Sequence, residues 1–153
     1  MANTYTKIYL QFIFAVKNRV SLIQPEWKIE LYKYITGIVQ NNKHKLIAIN
    51  GMPDHLHIFV GYKPHQLIPD LLQDIKGCSS TWINEKQFIR GKFGWQSGYA
   101  AFSYSHSQIG DVANYIKNQE IHHEKKSFRE EYIKFLKQFN VDYDKRYIFD
   151  EID

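Results

Sequence analysis

Two histidines one residue apart are the first side chains in this sequence that could do chemistry together. His55 and His57 lie in the stretch 53–60, Pro-Asp-His-Leu-His-Ile-Phe-Val, which reads as a short turn followed by a strand. Side chains alternate between the two faces of a strand, so both imidazoles project from one face and their apolar neighbours from the other. Such a pair can bind one divalent cation, although the same spacing is more common among surface or packed histidines.

A tyrosine and a glutamine later in the chain supply the other reactive groups. Tyr115 and Gln119 are one helical turn apart, so they share a flank of the helix predicted there. A phenol is a useful nucleophile toward a phosphodiester that a metal ion has activated. Attack by Tyr115 would displace a 3′-oxygen and leave a 5′-phosphotyrosine link, which a later 3′-hydroxyl could reverse without ATP. Without the histidines, however, Tyr115 would read as one of eleven tyrosines with a packing role.

The expected metal ligands are His55, His57 and the amide oxygen of Gln119. Two neutral imidazoles and one amide leave coordination positions for water and phosphate. This ligand set suits Mg²⁺ or Mn²⁺.

The spacing of apolar residues predicts four strands and two helices that would position these groups. In chain order they are a strand over 8–16, a helix over 25–41, a strand over 46–50, the histidine strand over 55–60, a helix over 67–83 and a strand centred on 99–104. This order is typical of an α+β, ferredoxin-like or RRM-like βαββαβ fold, with helices on one face of a four-stranded antiparallel sheet. With those helices on the apolar side of the histidine strand, the histidine face is expected to stay open.

Helices after the sheet are predicted to carry the tyrosine. One helix is expected from about Gln108 to His123, and a capping box at Ser127–Glu130 opens a last helix. The tail beyond residue 140 is expected to pack on a neighbouring surface of the same or another subunit. Gly77, inside the second helix of the sheet unit, is interpreted as a point of close backbone approach to the sheet or to a ligand.

Length and composition indicate one globular domain, 1–153, with a substantial core. The chain has 153 residues, of which 44% are hydrophobic, and a formal net charge of +4, which permits nucleic-acid binding without requiring it. The lone Cys78 suits a reducing cytoplasm. The apolar run over 8–16 is too short to span a bilayer, so no membrane association is expected.

Four ordered motifs resemble one family. Residues 53–57, Pro-Asp-His-Leu-His, are similar to the histidine–hydrophobic–histidine motif of the HUH endonucleases. Lys-Gly-Cys-Ser-Ser at 76–80, Trp-Gln-Ser-Gly-Tyr at 95–99 and Tyr-Ile-Lys-Asn-Gln at 115–119 follow in order. Over nearly its whole length the chain resembles the single-tyrosine HUH transposases of small insertion sequences, which include the REP-associated tyrosine transposases.

The resemblance implies a metal-dependent transposase that cleaves and rejoins single-stranded DNA next to hairpin-forming ends. It carries over His55, His57 and Gln119 as ligands of Mg²⁺ or Mn²⁺ and Tyr115 as the nucleophile. It also implies a homodimer whose active sites can be shared between subunits, acting in the cytoplasm on the nucleoid of a bacterium or archaeon. The chain departs from its relatives at Cys78 and Thr81, where they commonly carry an arginine, so a phosphate contact there is in doubt.

Residues that would contact DNA are proposed from their chemistry. Lys76, Arg90 and Lys92 would follow the DNA backbone, and Trp95 and Tyr99 would stack on exposed bases. Individually, such lysines and arginines are more commonly solvated charges.

Two interpretations of Asp54 are left open. Its carboxylate could orient a histidine, or it could simply be a turn residue.

Two alternative functions remain at this point. The first is a host-domesticated HUH nuclease that processes chromosomal palindromes. The second is a non-catalytic RRM-like module that binds nucleic acid on an open sheet face. The second would not need a histidine pair and a tyrosine at matching positions.

Overall fold

The computed structural model describes residues 3–123 and 127–143, without the side chains of residues 122 and 123. The predicted packing of the tail beyond residue 143 lies outside the described residues. The helices and strands are β1 (Ile8–Ala15), α1 (Pro25–Asn41), β2 (Lys45–Met52), β3 (His55–Tyr62), α2 (Ile68–Lys86), β4 (Ala100–Tyr104), α3 (Ile109–Lys117), α4 (Gln119–His123) and α5 (Phe128–Gln138). Within the described residues no helix is long and apolar enough to cross a membrane.

The four strands form one antiparallel sheet in the order β2-β3-β1-β4. This is the predicted ferredoxin-like α+β arrangement, and it places the histidine strand in the sheet interior. The larger core lies between one sheet face and the helices α1 and α2. It contains Phe12 and Phe14 from β1 with Leu56 and Ile58 from β3, as the alternation of apolar residues predicts.

The second face of the sheet is covered, so the expectation of an open histidine face is wrong. Ile13 and Phe102 on this face pack against Phe135 and other apolar residues of α5. Beside them, Phe59 packs against α3. Because β1 and β3 carry apolar residues on both faces, both faces must be shielded from water. The helices that follow the sheet unit provide that second layer.

The predicted single helix over 108–123 is divided into α3 and α4 by Asn118, whose φ and ψ are −100° and 26°. The side-chain amide of Asn50 on β2 donates hydrogen bonds to the carbonyl oxygens of Ile116, at 3.1 Å, and Lys117, at 3.0 Å. Carbonyl groups that accept from a side chain no longer need the amides of a following helical turn. A contact from the sheet therefore satisfies the carbonyl groups at the end of α3, just after Tyr115.

The two glycines nearest the motifs have opposite surroundings. A Cβ at Gly51 would lie 2.2 Å from the carbonyl oxygen of His55, so only glycine fits beside the histidine strand. A Cβ at Gly77 would meet no atom within 4 Å among the described residues. The predicted close approach of Gly77 to the sheet is therefore wrong.

Candidate active site

The two histidines lie side by side on β3, with ring centroids 5.2 Å apart and no exposed surface. His55 Nδ1 lies 2.7 Å from Asp54 Oδ1, and His57 Nδ1 lies 2.7 Å from Gln11 Oε1. Since the partner atoms are oxygens, each Nδ1 carries a proton and donates it. The Nε2 atom of each ring is then the one that would bind a metal ion, an arrangement typical of metal-binding histidines.

Residues on either side of the pair fix these orientations. Asp54 belongs to the turn before β3, and its other oxygen lies 3.5 Å from an Arg19 guanidinium nitrogen. Asp54 is therefore a turn residue and also holds a histidine, which combines the two interpretations left open by the sequence. The amide of Gln11 donates to the Tyr104 hydroxyl at 2.7 Å, which directs its oxygen toward His57.

A carboxylate that sequence reasoning missed faces the Nε2 atoms of both rings. Glu131 on α5 places Oε1 3.0 Å from His57 Nε2 and 3.6 Å from His55 Nε2, and only 3% of the residue is exposed. A signal for it existed in the sequence. Phe128, Glu131, Tyr132 and Phe135 follow the spacing of one helix face, so a charged residue occupies the apolar stripe.

The predicted nucleophile lies beside the same carboxylate. The Tyr115 hydroxyl donates a hydrogen bond to Glu131 Oε2, and its ring centroid is 6.2 Å from that of His57. Burial raises the pKa of Tyr115, and the negative charge of Glu131 and the hydrogen bond to it raise that pKa further. The phenol is therefore held in its protonated form, next to the histidines of its own chain.

The fourth predicted residue, Gln119, is fully buried in the same cluster. Its Oε1 lies 3.4 Å from His55 Nε2, and its Nε2 donates to Glu131 Oε2 at 3.3 Å. The structure thus brings together all four residues that the sequence analysis selected for the metal and the nucleophile.

The donor atoms fit a divalent cation. Ligand atoms of His55, His57 and Glu131 all lie within 4.8 Å of one another. Burial alone would lower the pKa of His55, but its hydrogen bonds to Asp54 and Glu131 and their negative charge outweigh burial and raise that pKa. The cluster therefore favours positive charge, and a metal ion would supply it.

Comparison with known proteins identifies the family to which this arrangement belongs. The profile of the IS200-like transposases matches residues 4–119, most of the chain. The chain belongs to the IS200-like transposase family.

Individual relatives agree with this assignment. The ISDra2 transposase TnpA of Deinococcus radiodurans is 27% identical over 112 residues, covering 70% of this chain and 80% of the relative. A crystal structure of a transposase from Deinococcus radiodurans R1 is similar with a TM-score of 0.62 and 27% identity, covering 78% of this chain and 95% of that one. A REP-associated tyrosine transposase bound to a REP hairpin has a TM-score of 0.62 over 100% of this chain and 98% of its own. At 14% identity it supports the fold alone.

The residues matched by the family profile include only part of the site of this IS200-like transposase. Both histidines, Tyr115 and Gln119 lie within the matched residues, whereas Glu131 lies beyond them. No motif over 4–119 could therefore have pointed to Glu131.

The side chains of three residues predicted to contact DNA already make contacts within the protein. The Lys76 ammonium donates to the carbonyl oxygens of Gln96, at 2.9 Å, and Gly98. The Trp95 indole donates to Ser79 at 2.9 Å, and both Trp95 and Tyr99 are half-buried against the larger core. Their role in DNA binding stays a prediction.

Arg90 and Lys92 are exposed in the segment between α2 and β4. Their predicted role in DNA binding is untested by the contacts described.

A cleft opens beside the buried cluster of the IS200-like transposase. It has a volume of about 250 Å³ and is lined in part by Gln11, Tyr104, Tyr115 and Lys134. Gln11 forms a hydrogen bond with His57, and Tyr115 forms one with Glu131. A single layer of side chains therefore separates this cleft from the histidine pair.

Proposed function

We propose that this chain is a metal-dependent, single-tyrosine HUH transposase that cleaves and rejoins single-stranded DNA beside hairpin ends. The observation that carries the proposal is the position of Tyr115. Its hydroxyl is hydrogen-bonded to a carboxylate that lies 3.0 Å from His57 Nε2. The predicted nucleophile and the predicted metal ligands therefore meet in one buried cluster.

His55, His57 and Gln119 would hold Mg²⁺ or Mn²⁺ through two ring nitrogens and an amide oxygen. An ion held there would supply positive charge to a non-bridging phosphate oxygen of the substrate. Asp54 and Gln11 keep the two rings in the tautomer that binds metal.

Tyr115 carries out the substitution at phosphorus. Its phenolic oxygen forms a bond to phosphorus while the bond from phosphorus to the 3′-oxygen breaks. The phenol proton leaves through the hydrogen bond to Glu131, and the departing 3′-oxygen takes up a proton to become a hydroxyl. Reversal by another 3′-hydroxyl joins two DNA strands and restores the phenol.

The DNA substrate is proposed from the charge of the chain and from its relatives. A net charge of +4 favours a polyanion, and a relative of the same fold was solved with a REP hairpin bound. Lys76, Arg90 and Lys92 are proposed to contact phosphates, and Trp95 and Tyr99 to stack on bases.

The proposed setting of the reaction is the bacterial or archaeal cytoplasm, on nucleoid DNA, with the protein as a homodimer. The family resemblance allows the tyrosine helix to complete a partner's site. The placement of Tyr115 beside its own His57 supports a site completed within one subunit.

The RRM-like alternative is disfavoured by one observation. Such modules bind bases on an exposed sheet face, and here α3 and α5 cover the second face while α1 and α2 cover the first. A domesticated nuclease would have the same site, and the genomic location of its copies would distinguish it.

The proposal is tested by incubating the chain and its Tyr115→Phe variant with single-stranded DNA carrying a hairpin, in the presence of Mn²⁺. The wild type should form a covalent protein–DNA species on a denaturing gel. The variant should form none and still bind the hairpin, because it lacks only one hydroxyl. Tyr34→Phe, which changes a tyrosine stacked on Trp82 away from the site, is the control and should react normally. A covalent species in Tyr115→Phe would exclude Tyr115 as the nucleophile.

A further inference from the structure

The carboxylate of Glu131 divides its two oxygens between two sets of partners. Oε1 lies 3.0 Å from His57 Nε2 and 3.6 Å from His55 Nε2. Oε2 accepts hydrogen bonds from the Tyr115 hydroxyl and from the Gln119 amide, the latter at 3.3 Å. One side of this carboxylate thus faces the two histidines, and the other holds Tyr115 and Gln119.

The burial of Glu131 calls for partners that stabilise its negative charge. A carboxylate with 3% exposure is strongly destabilising unless a cation or several hydrogen bonds neutralise it. The groups that contact it from β3, α3 and α4 are two imidazoles, a phenol and an amide. Among these groups, the two imidazoles can become positively charged by binding a proton, or they can share a metal ion with the carboxylate.

The distances between donor atoms match those around a bound metal ion as well as those of hydrogen bonds. An ion bound at about 2.1 Å to ligands at tetrahedral or octahedral angles separates neighbouring ligand atoms by about 3.0 to 3.5 Å. Here Glu131 Oε1 is 3.0 Å from His57 Nε2, and Gln119 Oε1 is 3.4 Å from His55 Nε2. Those separations are the edges expected of one coordination sphere.

We infer that Glu131 is an anionic ligand of the divalent ion and that its second oxygen holds Tyr115 beside that ion. The inference rests on the proposed metal-dependent function. It adds a charged ligand, from a helix outside the family match, to the ligands expected from the sequence. Two imidazoles and one carboxylate favour Mn²⁺ over Mg²⁺, because nitrogen ligands suit the transition metal better.

Metal binding by the intact chain, without DNA, tests the first half of the inference. Mn²⁺ is titrated into the protein, and free Mn²⁺ is measured by its electron paramagnetic resonance signal. Glu131→Gln, which keeps the shape and removes the charge, should weaken Mn²⁺ binding by about 10- to 100-fold or more. The matched control is Glu130→Gln, an exposed neighbour on the same helix, which should bind Mn²⁺ like the wild type.

The outcomes separate this inference from the function on which it rests. Unchanged or tighter Mn²⁺ binding by Glu131→Gln, with binding lost in His57→Gln, would overturn the inference alone. Equal binding by His57→Gln and the wild type would overturn the proposed metal centre as well. Should Glu131→Gln fail to fold, as judged by circular dichroism, Glu131→Asp keeps the charge but shortens the side chain. Weaker Mn²⁺ binding in that variant is expected, and wild-type binding would contradict the inference.

The second half is tested by the rate of covalent adduct formation at saturating Mn²⁺. There the weaker affinity of Glu131→Gln no longer limits occupancy, so the remaining defect reports on the contact between Glu131 and Tyr115, which both places the phenol and takes up its proton. We expect the adduct to form at least 10-fold more slowly than in the wild type or in Glu130→Gln. Full recovery of the wild-type rate would show that Glu131 does not position Tyr115.

Discussion

At the scale of single residues, the site depends on side chains whose polar atoms are satisfied by named partners. His55 and His57 each have one nitrogen held by an oxygen and the other turned to Glu131. Both rings are fully buried, so replacement by alanine would leave cavities and an uncompensated carboxylate. Substitutions at these positions should therefore introduce a side chain of similar length that can still form hydrogen bonds, as glutamine does.

The lowered pKa of Lys76 predicts how the free energy of unfolding changes at alkaline pH. Burial lowers the pKa of Lys76 to about 8, below the ordinary value of 10.5. Between those values the unfolded chain binds more protons than the folded one, so this residue makes the free energy of unfolding rise with pH from about 8 to about 10.5. In urea denaturation across that range, Lys76→Met should lose this rise.

The control for Lys76 is Lys86→Met, an exposed lysine on the same helix. It should keep the pH dependence of the wild type. The same pH dependence in both variants would contradict the prediction.

At the scale of secondary structure, β2 contacts the end of the tyrosine helix. Asn50 lies opposite His57 in the sheet and caps the last carbonyl groups of α3. The break between α3 and α4 was not predicted from the sequence of the helix, and the contact that satisfies its carbonyl groups comes from a different strand. The covered second face was missed for a similar reason, since it depends on α5 docking onto Ile13 and Phe102.

Removing the Asn50 side chain should displace Tyr115. We expect Asn50→Ala to lower the free energy of unfolding by about 1 kcal/mol and to slow adduct formation by at least 10-fold. The control is Asn42→Ala, which removes a similar bond to the Ile38 carbonyl of α1. It should lose similar stability and keep the wild-type rate. Equal rates in both variants would mean that the capping of α3 does not place the nucleophile.

Two glycine substitutions should have opposite effects. Gly51→Ala drives a methyl group against the His55 carbonyl and should cost about 1–3 kcal/mol or more. Gly77→Ala meets open space in α2 and should stabilise the protein by up to about 1 kcal/mol. Thermal unfolding measures both effects. Destabilisation by Gly77→Ala would contradict the open surroundings of that residue.

At the scale of the whole molecule, the βαββαβ fold was predictable because apolar residues alternate along each strand and recur at helical spacing. Histidines, tyrosine and glutamine were predictable because their types and order form motifs. The apolar stripe of α5 marked Glu131 as a buried charge, but not as part of the site, because it lies outside every motif and reaches the site only when α5 packs on the sheet. This part of the site thus comes from tertiary packing.

The most direct test of the account locates the bond between protein and DNA. The covalent species formed with Mn²⁺ and a hairpin-bearing single strand is digested with trypsin and a nuclease and sequenced by mass spectrometry. The tryptic peptide 93–117 contains Tyr99, Tyr104 and Tyr115, so it provides internal controls. The account predicts a nucleotide joined through its 5′-phosphate to Tyr115. A nucleotide on another residue, or no adduct from a chain that binds both Mn²⁺ and the hairpin, would contradict it.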